Sequence, residues 1–283
     1  MNLVTYILLV LVLIIAFYFT FYKARPAKNQ QGISIFAPEN GFQENKKKQL
    51  IIGTYNIQTG KDVHGNRNIN RSARIIQNAD IVGIQEVYAK SWLGRSSQAQ
   101  QLAEYGADSK MNFGWLFAAT RLRWMREHRG NAMLSRIPVK RWTVEMLPDQ
   151  TGKQFRNLIT AIIEFDGQEV AILITHLHTK RGQAKQLEIV LEKSKQYDRA
   201  ILLGDFNSNS SNPLLVEFLN ETSFIDAISI ANDLHDQAPQ ASEDSRIDWI
   251  LTKGFHVRSG SSEPIGISDH PYFEVTLSLA KNK

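Results

Sequence analysis

The chain has 283 residues, a formal net charge of +5 and no cysteine. The absence of cysteine excludes disulfide bonds, thiolate metal sites and a cysteine nucleophile. Only six of the 33 Lys and Arg residues and two of the 28 Asp and Glu residues precede Leu50, so the rest of the chain is nearly neutral. A near-neutral domain lacks the broad positive surface that tight binding to duplex DNA requires.

The first predicted element is an uncharged apolar segment at residues 3–22. About twenty such residues form a helix long enough to cross a hydrocarbon core of roughly 30 Å, so residues 1–22 are interpreted as a transmembrane anchor. A cleaved signal peptide is the alternative, but no basic residue precedes the run and no small-x-small site follows it. Lys23, Arg25 and Lys28 come next, and the positive-inside tendency then favours a single-pass protein with a cytoplasmic catalytic domain.

Residues 23–48 contain scattered Pro, Gly, Gln, Asn and Lys without periodicity, which predicts a flexible juxtamembrane linker. Its run of lysines at 46–48 is either a solvated tether or a contact for anionic lipid head groups. The folded catalytic domain is expected to occupy residues 49–283.

The domain alternates short β-branched runs with helical patterns, which predicts a layered α/β fold. The predicted strands cover residues 50–55, 81–84, 158–165, 170–175, 200–203, 247–251 and 273–277. The predicted helices cover residues 70–77, 98–105, 182–196 and 213–219. Asp166-Gly167 lies between two of the strands and predicts a hairpin, so at least one sheet has antiparallel pairing.

Polar side chains follow several of these strands at the point where each strand ends. Glu86 comes directly after a buried strand, where an unpaired carboxylate would be costly to desolvate, so a metal ion is its expected partner. Asn56 ends another strand and offers an oxygen acceptor and an amide donor. Asp205 and Asn207 follow a third strand, and their spacing can direct a carboxylate and a carboxamide to one point.

The last polar cluster, Ser268-Asp269-His270-Pro271, precedes the final predicted strand. Asp248 is expected to orient the imidazole of His270, because an Asp–His pair holds the ring and raises its basicity.

Seven motifs in this order resemble the endonuclease/exonuclease/phosphatase superfamily, which has the DNase I-like fold, over residues 49–279. They are Thr-Tyr-Asn at 54–56, Gln-Glu-Val at 85–87, Gly-Asn-Ala-Met-Leu-Ser-Arg at 130–136, Thr-His-Leu at 175–177, Gly-Asp-Phe-Asn at 204–207, Arg-Ile-Asp-Trp-Ile-Leu at 246–251 and Ser-Asp-His-Pro at 268–271. The resemblance implies a four-layered α/β/β/α sandwich and Mg²⁺- or Mn²⁺-dependent hydrolysis of phosphate esters without a covalent intermediate.

The resemblance also implies roles for individual residues. Glu86 would be the principal metal ligand, with Asn56 and Asp269 as further ligands. Asp205 would orient or activate water, and His270, held by Asp248, would act as an acid/base or stabilise the transition state. The residues expected to contact the phosphate ester are Asn207, His176, Arg156 and Asn131.

His176-Leu177-His178 raises a zinc alternative, because two histidines at i and i+2 on a strand face the same way. The metallo-β-lactamase pattern would continue with Asp and His, but the next positions are Lys180 and Arg181.

The physiological substrate does not follow from the motifs, because one fold can serve many esters. The predicted anchor favours a phospholipid or sphingolipid head group, with a DNA or RNA nuclease as the alternative. A catalytically inactive, membrane-tethered binding module is a third hypothesis, and it predicts loss of the candidate ligands, which are present. The basic stretch 121–129 is interpreted either as a grip on an anionic backbone or head group or as an exposed loop. A monomer is expected.

Overall fold

The computed structural model describes residues 2–18, 23–38, 40–42, 47–89, 97–105, 113–123, 127–150, 152, 154–179, 181–234 and 245–280. The strands in this part of the chain form two seven-stranded mixed sheets. The first sheet has the order β1-β5-β6-β4-β3-β14-β13. Its strands are β1 (Arg25–Pro26), β3 (Leu50–Asn56), β4 (Ile81–Ala89), β5 (Gly114–Leu122), β6 (His128–Ser135), β13 (Phe255–Glu263) and β14 (Tyr272–Leu279).

The second sheet has the order β11-β12-β10-β9-β8-β7-β2. Its strands are β2 (Gln30–Gly32), β7 (Val139–Leu147), β8 (Arg156–Phe165), β9 (Gln168–His176), β10 (Ala200–Asp205), β11 (Ile225–Asp226) and β12 (Asp248–Lys253). Each of the two sheets contains one parallel pair, β3 with β4 in the first and β9 with β10 in the second, and the other pairs are antiparallel.

Buried apolar side chains form three layers of core. The central layer joins the inner faces of the two sheets, with Ile52 and Ile81 of the first sheet in the same cluster as Ile174 and Leu203 of the second. Helices cover the outer faces: α2 (Ile69–Ile75) and α3 (Gln98–Glu104) pack on the first sheet, and α4 (Gln183–Lys195) and α5 (Pro213–Glu221) pack on the second. This is the α/β/β/α order that the family resemblance implied.

The N-terminal helix α1 covers Leu3–Phe17, which is 15 residues. Residues 19–22 of the predicted transmembrane segment lie outside the described part of the chain. No helix in the described part is both long enough and apolar enough to cross a membrane, so the predicted transmembrane helix is not supported.

The segment predicted as a linker at residues 23–48 contributes to both sheets. Strand β1 pairs with β5 at the edge of the first sheet, and β2 pairs with β7 at the edge of the second. The ring of Phe36 stacks on that of Trp115 with centroids 4.1 Å apart. Backbone pairing at a sheet edge needs no hydrophobic periodicity, which is why the sequence pattern did not indicate it.

The seven predicted strands and four predicted helices are all present, with ends shifted by a few residues. The hairpin between β8 and β9 turns at Asp166 and Gly167, both with positive φ, as an Asp-Gly turn requires. Sequence patterns missed the strands β5, β6, β7 and β13, the short edge strands β1, β2 and β11, and the helix α6 (Ala227–Leu234). Strand β13 is amphipathic only weakly, because half-exposed serines and a glycine fill its centre.

The glycine before the Asp205 motif is required by both space and backbone conformation. Gly204 has φ of +136°, and a Cβ atom there would lie 1.9 Å from the carbonyl oxygen of Thr175 on β9. The close approach lets β9 and β10 stay paired up to their ends, where His176 and Asp205 stand side by side.

We therefore expect Gly204→Ala to lower the free energy of unfolding by about 3 kcal/mol, as measured by urea denaturation. Gly65→Ala is the matched control, because Gly65 also has positive φ but has open space around its Cβ position. The control should cost only the backbone strain of about 1–2 kcal/mol. Equal losses in the two variants would contradict the assigned role of the close approach.

Candidate active site

Three neighbouring strands of the second sheet carry a polar side chain at the same level. Asp205 on β10 lies opposite His176 on the parallel strand β9 and opposite Asp248 on the antiparallel strand β12. The pairing register therefore brings together three residues that are distant in sequence. All three are almost fully buried, with exposed fractions of 1–4%.

The Asp205 carboxylate is the centre of the hydrogen-bond network. Its Oδ2 accepts from Asn56 Nδ2 of the first sheet at 3.1 Å, and its Oδ1 accepts from the Asn207 backbone N–H at 2.9 Å. His176 Nε2 lies 3.3 Å from Oδ2, and His270 Nε2 lies 3.7 Å from it. One carboxylate thus joins the ends of both sheets and the loop before β14.

Asp248 and His270 form the predicted dyad. His270 Nδ1 lies 2.8 Å from Asp248 Oδ2, while the buried Asp248 Oδ1 has no partner among the described residues. Burial lowers the pKa of His270, but the hydrogen bond and the charge of Asp248 outweigh it and raise the pKa to about 9. The ring is therefore an imidazolium at neutral pH, and its Nε2–H faces Asp205.

The other two groups shift in the direction that their burial dictates. Burial raises the pKa of the Asp205 carboxyl group above its ordinary value, and repulsion from Asp248 raises it further. Burial holds the pKa of His176 well below its usual range, and the charge of Arg156 lowers it further. His176 is therefore neutral, and Asp205 is a stronger base than an exposed aspartate.

Glu86 enters from the first sheet on a β-bulge. The register between β4 and β6 shifts between Ile84 and Val87, and Glu86 has φ of +57°. Left-handed backbone at a glutamate is strained, and such strain concentrates at functional positions. Glu86 lines a cavity of about 180 Å³ together with His176, and it forms no hydrogen bond or ion pair with another described residue.

Asn56 and Asp269 are linked through a residue that the sequence did not single out. Gln58 donates its backbone N–H to Asn56 Oδ1 at 3.1 Å and its Nε2 to Asp269 Oδ2 at 2.8 Å. Ser268 Oγ donates to the Asn56 carbonyl at 2.6 Å. The loop before β14 is therefore tied to the end of β3, next to the strand that carries Glu86.

Arg156 and Asn131 lie in the same cavity as Glu86. Arg156 donates its Nε to the Leu177 carbonyl at 3.1 Å, and Glu86 and Asp205 both act on its charge. Asn131 donates to Asn157 Oδ1 at 2.9 Å, which fixes its amide. Asn207, with φ of +49°, donates its Nδ2 to the Leu177 carbonyl at 2.9 Å, so its amide ties the segment after β10 to the segment after β9.

The structure thus brings Asp205, Asp248, His270, His176 and Asn56 into direct contact or within 3.7 Å of a neighbour in the set. Asp269 joins them through Gln58, and Glu86, Arg156 and Asn131 border the adjoining cavity. The residues that sequence patterns missed are Gln58 and Asn157, which carried no signal of their own. Arg121 and Arg129 also line the cavity, and they belong to the basic stretch 121–129 noted above.

Two groups of side chains are candidates for binding a cation: the set of Asp205, Asp248 and His270, and the site around Glu86. Asp205, Asp248 and His270 place one ligand atom each within 4.8 Å of one another. Their hydrogen bonds already join Asp248 to His270, whereas the Glu86 carboxylate has no such partner. His178 does not belong to the group of three, so the zinc alternative finds no support in the described residues.

The model of the Endonuclease/Exonuclease/phosphatase family matches residues 53–270 of this sequence. The chain belongs to this family. Its members are hydrolases that act on phosphoester bonds, and they generally use divalent metals. The match covers every predicted site residue and agrees with the resemblance inferred from the seven motifs.

Solved structures of family members have the same fold. A Beutenbergia cavernae endonuclease/exonuclease/phosphatase is 24% identical with a TM-score of 0.65, and the alignment covers 82% of this chain and 72% of that one. A Bacteroides thetaiotaomicron mannosyl-6-phosphatase is 18% identical with a TM-score of 0.62 over 81% of this chain and all of that one. Truncated Caenorhabditis elegans TDP2 is 16% identical with a TM-score of 0.54 over 81% and 97% of the two chains. A search of curated protein sequences found no match.

We expect the pKa of His270, measured by NMR titration of the metal-free protein, to lie near 9 and to fall in Asp248→Asn, because the neutral amide no longer favours the imidazolium. Asp233→Asn, which removes an exposed carboxylate on α6, should leave this pKa unchanged. A wild-type value near the ordinary 6.5 or so would contradict the dyad assignment.

Proposed function

We propose that the protein is a divalent-cation-dependent phosphoester hydrolase that uses activated water. The observation that carries the proposal is the buried Asp205 carboxylate, which faces the imidazolium of the Asp248–His270 dyad and adjoins a cavity lined by Glu86 and Arg156. Attack of water on a phosphate ester requires a base, an acid and positive charge close together, and Asp205, His270 and Arg156 supply them.

The chemistry of the donor set fits Mg²⁺ or Mn²⁺. Hard divalent cations prefer carboxylate and amide oxygens, which Glu86, Asn56 and Asp269 offer. The partly buried Glu86 carboxylate lacks a hydrogen bond, and a bound cation would compensate its charge. Such a cation would act as a Lewis acid towards the phosphoryl oxygens. We assign the holding role to Glu86, with Asn56 and Asp269 assisting.

The remaining roles follow from protonation and position. Asp205 has a raised pKa and accepts a proton from the attacking water, and Asn56 and the Asn207 backbone hold it in place. His270 is positively charged and stabilises the developing negative charge or donates a proton to the leaving oxygen. Hydrogen-bond donors for the phosphoryl oxygens and the rest of the substrate come from Arg156, neutral His176, Asn207 and Asn131.

We infer that the substrate is a phosphate ester in a lipid head group. Helix α1 exposes large apolar side chains on all sides, with exposed fractions of 74% for Leu3 and 46% for Phe17. Exposed Lys23 and Arg25 follow, and β1 then pairs with β5 at the edge beside the cavity. An apolar helix with a basic flank binds anionic lipid surfaces, and this chain path would hold the site near them.

A nuclease is the alternative, because family membership does not select the ester. The nearly neutral catalytic domain argues against tight binding of duplex DNA, whereas a single strand would need less positive surface. A substrate panel distinguishes the two.

We expect the full chain with Mg²⁺ to hydrolyse phosphoinositide or sphingomyelin vesicles, and Glu86→Ala and His270→Ala to lower kcat by about 100-fold or more. Plasmid DNA and RNA form the second arm of the panel. Glu188→Ala, which removes an exposed glutamate on α4, is the control and should keep full activity. Nicking of DNA alone would replace the lipid assignment with the nuclease, and activity that persists in EDTA and in Glu86→Ala would refute the proposed mechanism.

The full chain should float with vesicles that contain anionic phospholipid, and the double substitution Leu8→Lys with Val12→Lys should abolish flotation, because it places two charges on an exposed apolar helix. Val216→Lys with Ile265→Lys adds the same charge at exposed apolar positions outside α1 and should leave flotation intact. Flotation of the protein with the α1 substitutions would contradict the proposal that α1 binds the membrane.

A further inference from the structure

The cavity beside the proposed catalytic centre contains more positive charge than one phosphate ester requires. Arg121, Arg129 and Arg156 all line it, together with Gln154 and Phe155. Arg156 belongs to the catalytic side, because Glu86 and Asp205 act on its charge. The other two arginines have no role in the proposed hydrolysis.

The backbone holds these two arginines next to each other. Arg121 on β5 is the register partner of Arg129 on β6, and the β5–β6 register shifts between Ala119 and Arg121. Thr120 Oγ1 donates to the Arg129 carbonyl at 3.1 Å. The Arg129 guanidinium lies over the Tyr88 ring at 4.7 Å and donates to the Tyr88 hydroxyl, so Tyr88 holds the guanidinium in place.

No carboxylate of the described residues forms an ion pair with Arg121 or Arg129. The buried Nε of Arg121 also has no hydrogen-bond partner among them. Burial, together with repulsion from Arg129 and Arg123, lowers the pKa of Arg121 to about 10. Like charges held together without an ion-pair partner are unfavourable, and a bound anion would offset this cost.

We propose that Arg121 and Arg129 form a second anion subsite for a substrate that carries another phosphate group beside the ester that is hydrolysed. This inference rests on the proposed function, because it places a second group of the same substrate next to the reacting one. Arginine suits the task, since its planar fork binds phosphate oxygens in pairs.

The size of the cavity favours a compact substrate over a polymer. Its volume of about 180 Å³ is below the roughly 300–1,000 Å³ that is typical of pockets for whole small ligands. Such a space admits a second phosphate group beside the reacting ester, whereas a polynucleotide requires a groove that continues along the backbone.

Binding of hydrolysis-resistant ligands tests the subsite directly. Alkane bisphosphonates with two to six carbons are compared with alkyl monophosphonates of equal length by isothermal titration of the full chain in Mg²⁺. We expect at least one bisphosphonate to bind about tenfold tighter than its monophosphonate. Arg121→Gln and Arg129→Gln should each reduce the ratio of bisphosphonate to monophosphonate affinity by about threefold or more. Arg258→Gln removes an exposed arginine on β13 and should retain it.

The outcomes separate this proposal from the proposed hydrolysis. A wild-type ratio near one, or an unchanged ratio in folded Arg121→Gln and Arg129→Gln proteins, overturns the subsite even if hydrolysis is intact. The same ratios remain readable if the protein hydrolyses nothing, because the phosphonates are not cleaved. An Arg121-dependent preference for oligonucleotides without a bisphosphonate preference also overturns it.

Vesicles identify the source of the second phosphate. Phosphatidylcholine vesicles with phosphatidylinositol monophosphate are compared with vesicles that carry phosphatidylinositol. Tighter binding of the full chain to the vesicles with phosphatidylinositol monophosphate, if it depends on Arg121, supports the subsite with a lipid substrate. A preference for bisphosphonates without tighter binding to these vesicles supports the subsite with a soluble substrate.

Discussion

The burial of the Asp205 carboxylate between the ends of both sheets is the constraint on which the rest of the site depends. A carboxylate that is 1% exposed must be compensated, and here Asn56, the Asn207 backbone, His176 and His270 all face it. Each of these partners comes from a different segment. Their arrangement therefore holds only while both sheets keep their register.

This constraint explains the protonation states. Burial raises the pKa of Asp205 and repulsion from Asp248 raises it further, while the same Asp248 raises the pKa of His270 through a hydrogen bond. Two carboxylates and one imidazole thus divide into a base and an acid by geometry alone. His176 remains neutral because it is buried, so it can accept or donate without adding charge.

The first sheet contributes charged side chains to the cavity. Glu86 lies on a bulge with left-handed backbone, and the arginines of β5 and β6 face the same cavity. A carboxylate and several guanidinium groups in the lining of one cavity suit a cation and a phosphate together. The strained backbone at Glu86 is consistent with a position selected for chemistry, because packing alone would not require it.

The sequence by itself determined the α/β class, the Asp-Gly hairpin and the polar residues at strand ends, because hydrophobic periodicity and turn chemistry are local properties. It missed edge strands β1 and β2, whose pairing leaves no periodic trace, and the transmembrane helix that it predicted is not supported in the described part of the chain. Only the tertiary structure decided that Asp205 lies opposite both His176 and Asp248, that Gln58 links Asn56 to Asp269, and that Arg121 and Arg129 share a cavity. These facts depend on strand register and on a β-bulge, which arise from contacts between segments far apart in the chain.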